Sequence, residues 1–363
     1  MTHVLVARLD NAGDVLLAGP AVRAVAAGAE RVTLLCGPQG AEAGELLPGV
    51  DSVVQWRCPW IDPDPAPVQA EHVDRLLATV RALAPDRALV LTSFHQSALP
   101  TALLLRLAGV PWIGAVSTDF SGSLLDLRHR PPDGLHEVER ALSLVRAAGY
   151  ALPDGDTGCL AVRSSSLPRQ PWSGDFVVLH PGASVPARAW PVHRWQELAR
   201  LLAERGRRVV VTGGPSERAL TAGVAAAYGS GDVVDLGGRT SLAELAGVLG
   251  AASAVVAANT GPAHLAAAVG TPVVSLFAPT VPFERWRPWG VPVVALGRGD
   301  APCRDSRVTE CPFPGHPCLS AVTAAEALHA LDSLGPRART SHPWSGAPAG
   351  AAALVQTVPG GLS

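Results

Sequence analysis

Lysine is absent from this sequence, and methionine, tyrosine and phenylalanine are scarce. Among 363 residues there are one Met, two Tyr and six Phe, whereas Gly and Pro number 37 and 33. All 29 basic residues are therefore arginine, which keeps the charge of lysine but presents a planar fork of donors. This pattern indicates a composition bias of the whole genome. Arginine can therefore occupy positions at which similar proteins have lysine.

Concentrated positive charge and long apolar runs are also missing. The formal net charge of −2 excludes a general nucleic-acid surface, which needs a basic excess. No apolar segment is long and charge-free enough to span a bilayer. The N-terminus runs directly into an apolar stretch at residues 4–7, without the features of a signal peptide. We expect a cytoplasmic protein with no nucleic-acid partner and at most peripheral contact with the inner face of the membrane.

The residues that are present describe an enzyme-like globular chain. Hydrophobic residues make up 48% and charged residues 17% of the sequence. The length exceeds the size at which single cores usually stop growing, which predicts two domains.

Short apolar runs alternate with Ala/Leu-rich segments of helical period, a pattern typical of α/β proteins with parallel sheets. Two such series occur. The first predicts strands at residues 4–7, 32–36, 52–56 and 88–92, with helices at 16–27 and 72–84. The second predicts strands at residues 176–180, 208–212, 233–235, 254–257 and 273–277. A linker without periodicity at 164–171 separates domains at 1–165 and 172–335, and the Ala-, Gly- and Pro-rich residues 336–363 predict a disordered tail.

The most informative segment follows the predicted strand at 254–257. It begins Asn259-Thr260-Gly261-Pro262-Ala263-His264 and continues to Leu276-Phe277-Ala278-Pro279-Thr280. Small residues allow a close turn, Pro262 suits a helix start, and free N–H groups at that start would bind a phosphate. A common α/β loop accounts for the small residues without any ligand.

Two further motifs follow predicted strands. Gly13-Asp14 comes after the first strand, where Asp14 can cap a helix or face a ligand. His180-Pro181-Gly182-Ala183 opens the second domain and leads to Arg188 and Trp190-Pro191, where Arg188 can be a surface residue or a cation for an anionic ligand. From local sequence alone, the capping and surface interpretations are the commoner ones.

Two glycine-containing loops carry weaker signals. Glu217 lies in the loop Gly213–Arg218, where Ser216 can cap the next helix. In the loop that follows residues 233–235, Thr240 or Ser241 can act as a cap. Both loops fit a nucleotide site without requiring one.

Together these motifs resemble the signatures of glycosyltransferase family 9, the heptosyltransferase-like family. Its donor-site signature usually reads Asp-Thr-Gly, two variable residues, His-Leu-Ala-Ala-Ala, then Leu-Phe-Gly-Pro-Thr. The resemblance extends from residue 4 to about residue 331. It implies an α/β protein of the GT-B fold, with two Rossmann-like domains whose parallel sheets face a central cleft. The N-terminal domain would bind the acceptor and the C-terminal domain the nucleotide-sugar donor.

The resemblance also assigns roles to individual residues. Asp14 becomes the base toward the acceptor hydroxyl, and Arg188 takes the diphosphate-binding role. The other donor-binding candidates are Ser184, Glu217, Asn259, Thr260, Gly261 and His264. Asn259 departs from the family aspartate, because an amide forms hydrogen bonds but brings no negative charge.

The implied activity is that of an inverting glycosyltransferase. It would move heptose from ADP-heptose to a hydroxyl of a glycan, lipid-linked or small-molecule acceptor, as in lipopolysaccharide biosynthesis, without metal or cofactor. Arg57, Arg128 and Arg130 are candidates for binding an anionic acceptor. Asn259 keeps open the alternative of a non-catalytic sugar-nucleotide-binding protein, and a GT-B-type sugar-nucleotide epimerase, which would act without an acceptor, is a third possibility.

The cysteines form one sequence group, Cys303, Cys311 and Cys318, with His316 nearby. Three sulfurs and an imidazole could bind zinc, but the spacing does not match the usual short Cys-x2–4-Cys pairs. A lineage-specific structural feature is the preferred interpretation, and zinc is the alternative.

Overall fold

The computed structural model describes residues 2–163, 175–228, 232–334 and 354–357, the last four by their backbone alone. The chain divides into an N-terminal unit, residues 1–165 with 342–363, and a C-terminal unit, residues 166–341. The predicted linker at 164–171 lies outside the described residues, and so does the predicted tail apart from 354–357.

The N-terminal unit is built on a parallel sheet. Its strands are β1 (His3–Arg8), β2 (Arg31–Cys36), β3 (Ser52–Gln55), β4 (Arg87–Val90), β5 (Trp112–Val116) and β6 (Leu127–His129). They run in the order β3-β2-β1-β4-β5-β6, which places β1 inside the sheet. Every residue of β1 is buried, as expected for a central parallel strand covered on both faces.

In the described part of this unit, five α-helices cover the sheet. They are α1 (Ala12–Gly28), α2 (Ala41–Leu46), α3 (Ala70–Leu83), α4 (Leu99–Leu107) and α5 (Glu137–Ala147). Helix α1 packs on α2 and α5, whereas α3 packs on α4. The second pair lies over a core that includes Leu76, Val80 and Leu105.

The C-terminal unit repeats the arrangement. Its strands are β7 (Phe176–His180), β8 (Arg208–Val211), β9 (Val233–Asp235), β10 (Ala254–Ala258), β11 (Val273–Leu276) and β12 (Val293–Leu296). They are parallel and run in the order β12-β11-β10-β7-β8-β9. The helices are α6 (Val192–Glu204), α7 (Arg218–Ala225), α8 (Leu242–Ala251), α9 (Gly261–Ala268), α10 (Phe283–Trp286), α11 (Pro317–Ser320) and α12 (Ala324–Ser333).

A last strand, β13 (Leu354–Thr357), pairs in parallel with β3 and extends the N-terminal sheet to seven strands. These four residues form a strand in the structure, and the prediction of a disordered tail for residues 336–363 is otherwise untested. Backbone hydrogen bonds at the edge of a sheet can order a segment whose composition alone gives no strand signal.

Helix starts differ from two local predictions. Asn11 is the N-cap of α1, so Asp14 lies inside the first turn and is not the cap. Ser216 lies within a short 3-10 helix, Pro215–Glu217, and does not cap α7. Ser241 does cap α8, and its side chain accepts a hydrogen bond from the backbone N–H of Glu244. No helix of the described chain is long and apolar enough to cross a membrane.

Candidate functional site

The donor-side candidates follow three neighbouring strands of the C-terminal sheet. Strands β10, β7 and β8 are adjacent and parallel. Their carboxyl ends therefore meet at one edge, which is where open α/β sheets bind ligands. The sheet topology brings together the loops that carry Arg188, Glu217 and Asn259.

Arg188 and Asn259 contact each other directly. Arg188 ends a 3-10 helix, Pro186–Arg188, and its Nη1 donates to the backbone carbonyl of Asn259 at 3.2 Å. Asn259 is 6% exposed, and its Oδ1 accepts a hydrogen bond from the backbone N–H of Ala278 at 3.3 Å. The amide nitrogen Nδ2 is buried and has no hydrogen-bond partner among the described residues. The Arg188 guanidinium therefore lies beside Asn259, whose Nδ2 donor is available to a ligand.

Helix α9 begins directly after this contact. Thr260 is its N-cap, but the Thr260 side chain makes no capping bond and instead donates to the carbonyl of Ala258 at 3.4 Å. The first N–H groups of a helix have no partner within the helix and carry partial positive charge. Gly261 starts the helix, and His264 is buried in its first turn. This end of α9 suits an anion.

Glu217 lies against the loop that opens the unit. Its Oε2 accepts a hydrogen bond from the backbone N–H of Gly214 at 2.7 Å and lies 3.8 Å from Nε2 of His180. A Cβ atom at Gly182 would come within 2.0 Å of the Glu217 carboxylate, so a larger residue there would displace this carboxylate from its present position. The position of Glu217 thus depends on the loops after both β7 and β8.

His180 was not predicted as a site residue. It is buried at the end of β7, and its Nδ1 lies 2.9 Å from Oγ1 of Thr212 at the end of β8. Burial lowers the pKa of His180, and the nearby Glu217 carboxylate only partly opposes this effect. The imidazole is therefore neutral near pH 7 and joins the two strand ends through hydrogen bonding.

Ser184 lies exposed in the turn that precedes Pro186–Arg188. The 3-10 helix itself is held from another segment. The backbone N–H of Ala187 donates to the carbonyl of Thr309 at 2.9 Å, and Nε2 of His316 donates to the carbonyl of Ala187 at 3.0 Å. Trp190 Nε1 donates to the carbonyl of Val322 at 3.1 Å. Residues 309–322 therefore brace the turn that carries Arg188.

The grouped cysteines have the following surroundings in the structure. Cys303 and Cys318 are buried in the apolar core of the unit, and burial raises the pKa of the Cys318 thiol to about 11. The imidazole of His316 is engaged by Ala187. In the ranges 2–163, 175–228 and 232–334, no group of three or more His, Cys, Asp or Glu side chains is placed to hold a metal ion. In the described structure, Cys303 and Cys318 pack in the core and His316 contacts the turn that carries Arg188, while zinc binding by this segment stays untested.

A cavity of about 460 Å³ opens beyond β11 and β12, lined by Phe277, Phe283 and Leu296 with Asp300 and Arg304 at its polar side. It begins at the turn after β11, one residue from Ala278, whose N–H binds Asn259. None of the donor-side candidates lines it.

In the N-terminal unit, Asp14 belongs to a buried charge cluster. Its Oδ1 accepts a hydrogen bond from Nη2 of Arg8 at 3.0 Å, and its side chain is 20% exposed. Arg8, at the end of β1, is 3% exposed and also lies 3.0 Å from Asp10 and 3.7 Å from Glu137. Burial opposes the charge of Arg8, but these three carboxylates outweigh burial and raise the pKa of the guanidinium above its ordinary value.

Glu137, the first residue of α5, is the most buried carboxyl of this cluster. Burial raises its pKa from 4.5 to about 7, with Arg8 and Arg140 opposing the shift. Neither Arg8, Asp10 nor Glu137 was predicted from the sequence. An acidic residue at a helix start predicts only a favourable dipole contact. Nothing local shows that Glu137 packs against a residue 129 positions earlier.

The acceptor-side arginines do not form one cluster. Arg57 follows β3 and pairs with Asp62 at 3.0 Å. Arg128, on β6, donates to the backbone carbonyls of Ser117 and Thr118, and Arg130 also donates to Thr118 at 3.3 Å. Strands β3 and β6 are separated by four strands in the sheet. Arg57 is therefore far from Arg128 and Arg130, which both bind the backbone of the segment at residues 117–118.

Comparison with solved structures defines the class of this fold. A structure of the E. coli heptosyltransferase WaaC with ADP-2-deoxy-2-fluoro heptose superposes with a TM-score of 0.70 at 23% identity, covering 91% of this chain and 99% of that one. The two parallel α/β units are those of the GT-B fold. The expected fold class is thus confirmed.

The chain belongs to glycosyltransferase family 9 (heptosyltransferase), whose family model matches residues 73–316. It is 32% identical over 171 residues to lipopolysaccharide heptosyltransferase 3 of Escherichia coli, covering 46% of this chain and 48% of that protein. It is 37% identical over 184 residues to lipopolysaccharide heptosyltransferase 1 of Pseudomonas aeruginosa, covering 50% of each. The matched region spans about half the length of these two relatives.

Proposed function

We propose that this chain is an inverting glycosyltransferase that moves heptose from ADP-heptose to a sugar hydroxyl of a lipopolysaccharide-type glycan. Membership of glycosyltransferase family 9 supports the reaction class, and the names of the two curated relatives support the sugar and the acceptor. The related structure that contains an ADP-linked heptose analogue supports the donor.

The buried amide nitrogen Nδ2 of Asn259, which has no hydrogen-bond partner among the described residues, carries the donor-side proposal together with the neighbouring Arg188. An unpaired buried donor costs about 1–3 kcal/mol, so a ligand oxygen at Nδ2 would recover stability that the chain alone forgoes. Arg188 and the N–H groups at the start of α9 supply positive potential beside it. These groups suit a diphosphate, which gains charge on its leaving oxygen during transfer, and they do so without a metal ion.

Asp14 is the proposed base. In an inverting transfer the acceptor hydroxyl attacks the anomeric carbon as the nucleoside diphosphate leaves with the bonding electrons. The hydroxyl proton passes to a carboxylate. The partly exposed side chain of Asp14 leaves that carboxylate accessible to an acceptor. Because the transition state resembles an oxocarbenium ion, the proton moves late and a strong base is not required.

The acceptor hydroxyl belongs to a glycan in this proposal, with lipid-linked and small-molecule acceptors as the alternatives. The contacts of Arg57, Arg128 and Arg130 within their own unit do not favour a shared role in holding an anionic acceptor. Each remains a separate candidate.

Calorimetric titration with ADP, UDP, GDP and dTDP tests the donor class. We expect selective ADP binding that Arg188→Ala weakens tenfold or more, because charge-assisted hydrogen bonds contribute about 1.5–3 kcal/mol. Arg200→Ala is the matched control, since Arg200 is an exposed arginine of the same unit, paired with Glu204. Preference for another nucleotide would contradict ADP-heptose while retaining the reaction class.

Asp14→Asn tests the base. We expect unchanged ADP affinity and a loss of transfer of about 100-fold or more, the usual range for removing a general base. Near-normal transfer by this variant would contradict the assignment. Product analysis with donor alone distinguishes the alternatives, because an epimerase changes the sugar without an acceptor. Nucleotide binding without transfer or epimerisation would favour the non-catalytic alternative that Asn259 raises.

A further inference from the structure

Asp14, in the first turn of α1, contacts the guanidinium of Arg8 at the end of β1. The guanidinium of Arg8 reaches it with Nη2, and the same Nη2 donates to Oγ of Ser93 at 2.8 Å. The Nε of Arg8 lies 3.0 Å from Oδ2 of Asp10. Asp14 is more exposed than Arg8, Asp10 or Glu137, so it is the carboxylate through which this cluster can meet a substrate.

Two residues that contact Arg8, Asp10 and Ser93, are in turn bound by Gln96. Gln96 donates from Nε2 to Oδ1 of Asp10, and its Oε1 accepts a hydrogen bond from the backbone N–H of Ser93 at 3.0 Å. Ser93 is 2% exposed. The loop after β4 thus fixes two of the contacts of Arg8, and Glu137 from α5 adds a carboxylate 3.7 Å from Nη1.

We propose that Arg8 is a positioning residue that holds the Asp14 carboxylate in the orientation needed to receive the proton of the acceptor hydroxyl. The inference rests on the proposed role of Asp14 as base. Because the Arg8 bond engages Oδ1, we assign Oδ2 as the oxygen that accepts the proton. That proton leaves the hydroxyl as its oxygen bonds to the anomeric carbon and the diphosphate departs with the electron pair of the broken bond.

The shape of the guanidinium explains why arginine suits this task. Its donors lie in a fixed plane, so Nη2, Nη1 and Nε can address separate partners on α1, α5 and the loops after β1 and β4. A lysine ammonium carries the same charge at a single point on a flexible stem and cannot hold all of these groups in place. Arg8→Lys therefore preserves charge and removes the geometry.

The test compares Arg8→Lys with Arg23→Lys. Arg23 is an equally buried arginine of the same unit that pairs with Asp156 at 2.7 Å, so it controls for the general cost of changing a buried arginine. We expect Arg8→Lys to lower kcat for transfer about 100-fold, the loss that a misplacement of roughly 1 Å can produce. The donor KM and the ADP affinity should stay within twofold of the unaltered protein. Arg23→Lys should keep kcat within threefold.

A crystal structure of Arg8→Lys gives a readout that does not depend on activity. We expect the Asp14 carboxylate to move by about 1 Å or more from its position in the unaltered protein. If Arg8→Lys does not fold, Ser93→Ala takes its place, because it removes one anchor of Nη2. For that variant we expect a kcat loss of about fivefold at constant KM and a displaced Arg8 in the crystal structure.

Two results would overturn the inference: a kcat within threefold of normal in the folded Arg8→Lys protein, or an unmoved Asp14 carboxylate. For Ser93→Ala, an unchanged kcat or an unmoved Arg8 would do the same. Failure of the proposed function is distinguishable from both. If the unaltered protein transfers no sugar from any nucleotide donor, the proposed function is contradicted, and the position of Asp14 in the crystal structures decides whether Arg8 holds it.

Discussion

At the scale of single residues, the titration of Glu137 can be measured through protein stability, without an assay of sugar transfer. Its folded-state pKa is about 7, raised from 4.5 by burial. Such a group contributes stability fully below pH 4.5 and loses that contribution as the pH rises through 7. The shift corresponds to about 3 kcal/mol between those limits. The Glu137→Gln variant cannot ionise at this position. Between pH 4.5 and pH 8, its free energy of unfolding should therefore rise by about 3 kcal/mol relative to that of the unaltered protein.

Chemical unfolding at pH 4.5, 6 and 8 measures this difference. Glu139→Gln is the matched control, because Glu139 is an exposed carboxylate in the same first turn of α5. Its free energy of unfolding relative to the unaltered protein should change little with pH. If the free energy of unfolding of Glu137→Gln relative to the unaltered protein does not change between pH 4.5 and pH 8, the pKa of the Glu137 carboxyl is not raised.

At the scale of elements, most strands with apolar runs were predicted, but β5 (Trp112–Val116) and β12 (Val293–Leu296) were missed although their sequences are apolar. Residues 176–180 and 233–235 were predicted with the bounds of β7 and β9, and β1, β2 and β10 within one residue. Strand β6 was missed because Leu127-Arg128-His129 is short and polar, and only pairing with β5 makes it a strand. The motif loops were predictable because they follow strong strands, whereas the contacts of Arg8 and His316 join distant segments.

The brace at residues 309–322 gives an element-scale prediction. His316→Ala removes the hydrogen bond to the carbonyl of Ala187, which fixes the turn ending at Arg188. One such bond contributes about 1 kcal/mol, so we expect ADP affinity to fall about fivefold although the ligand contact proposed for Arg188 is unaltered. His329→Ala, at an exposed histidine of α12, is the control. Equal ADP affinities in the two variants, measured by calorimetric titration, would contradict the brace.

At the scale of the whole molecule, each unit has a sheet and an apolar core of its own. One core contains Leu5, Val90 and Ile113, and the other contains Val177, Trp195 and Val256. Chains with two cores often depart from single-step unfolding. We therefore expect differential scanning calorimetry of the full chain to resolve two transitions, one for each unit.

The proposed ADP site belongs to the C-terminal unit alone, because Arg188, Asn259 and the start of α9 all lie there. A ligand that binds only the folded state at 100 times its Kd stabilises that state by about 2.7 kcal/mol. For a unit of this size, that gain corresponds to a rise in Tm of roughly 5–10 °C. We expect ADP to raise one transition by this amount and to leave the other in place, and Arg188→Ala to abolish the rise. A single transition would show that the two cores unfold together. An equal rise in two separate transitions would contradict an ADP site confined to the C-terminal unit.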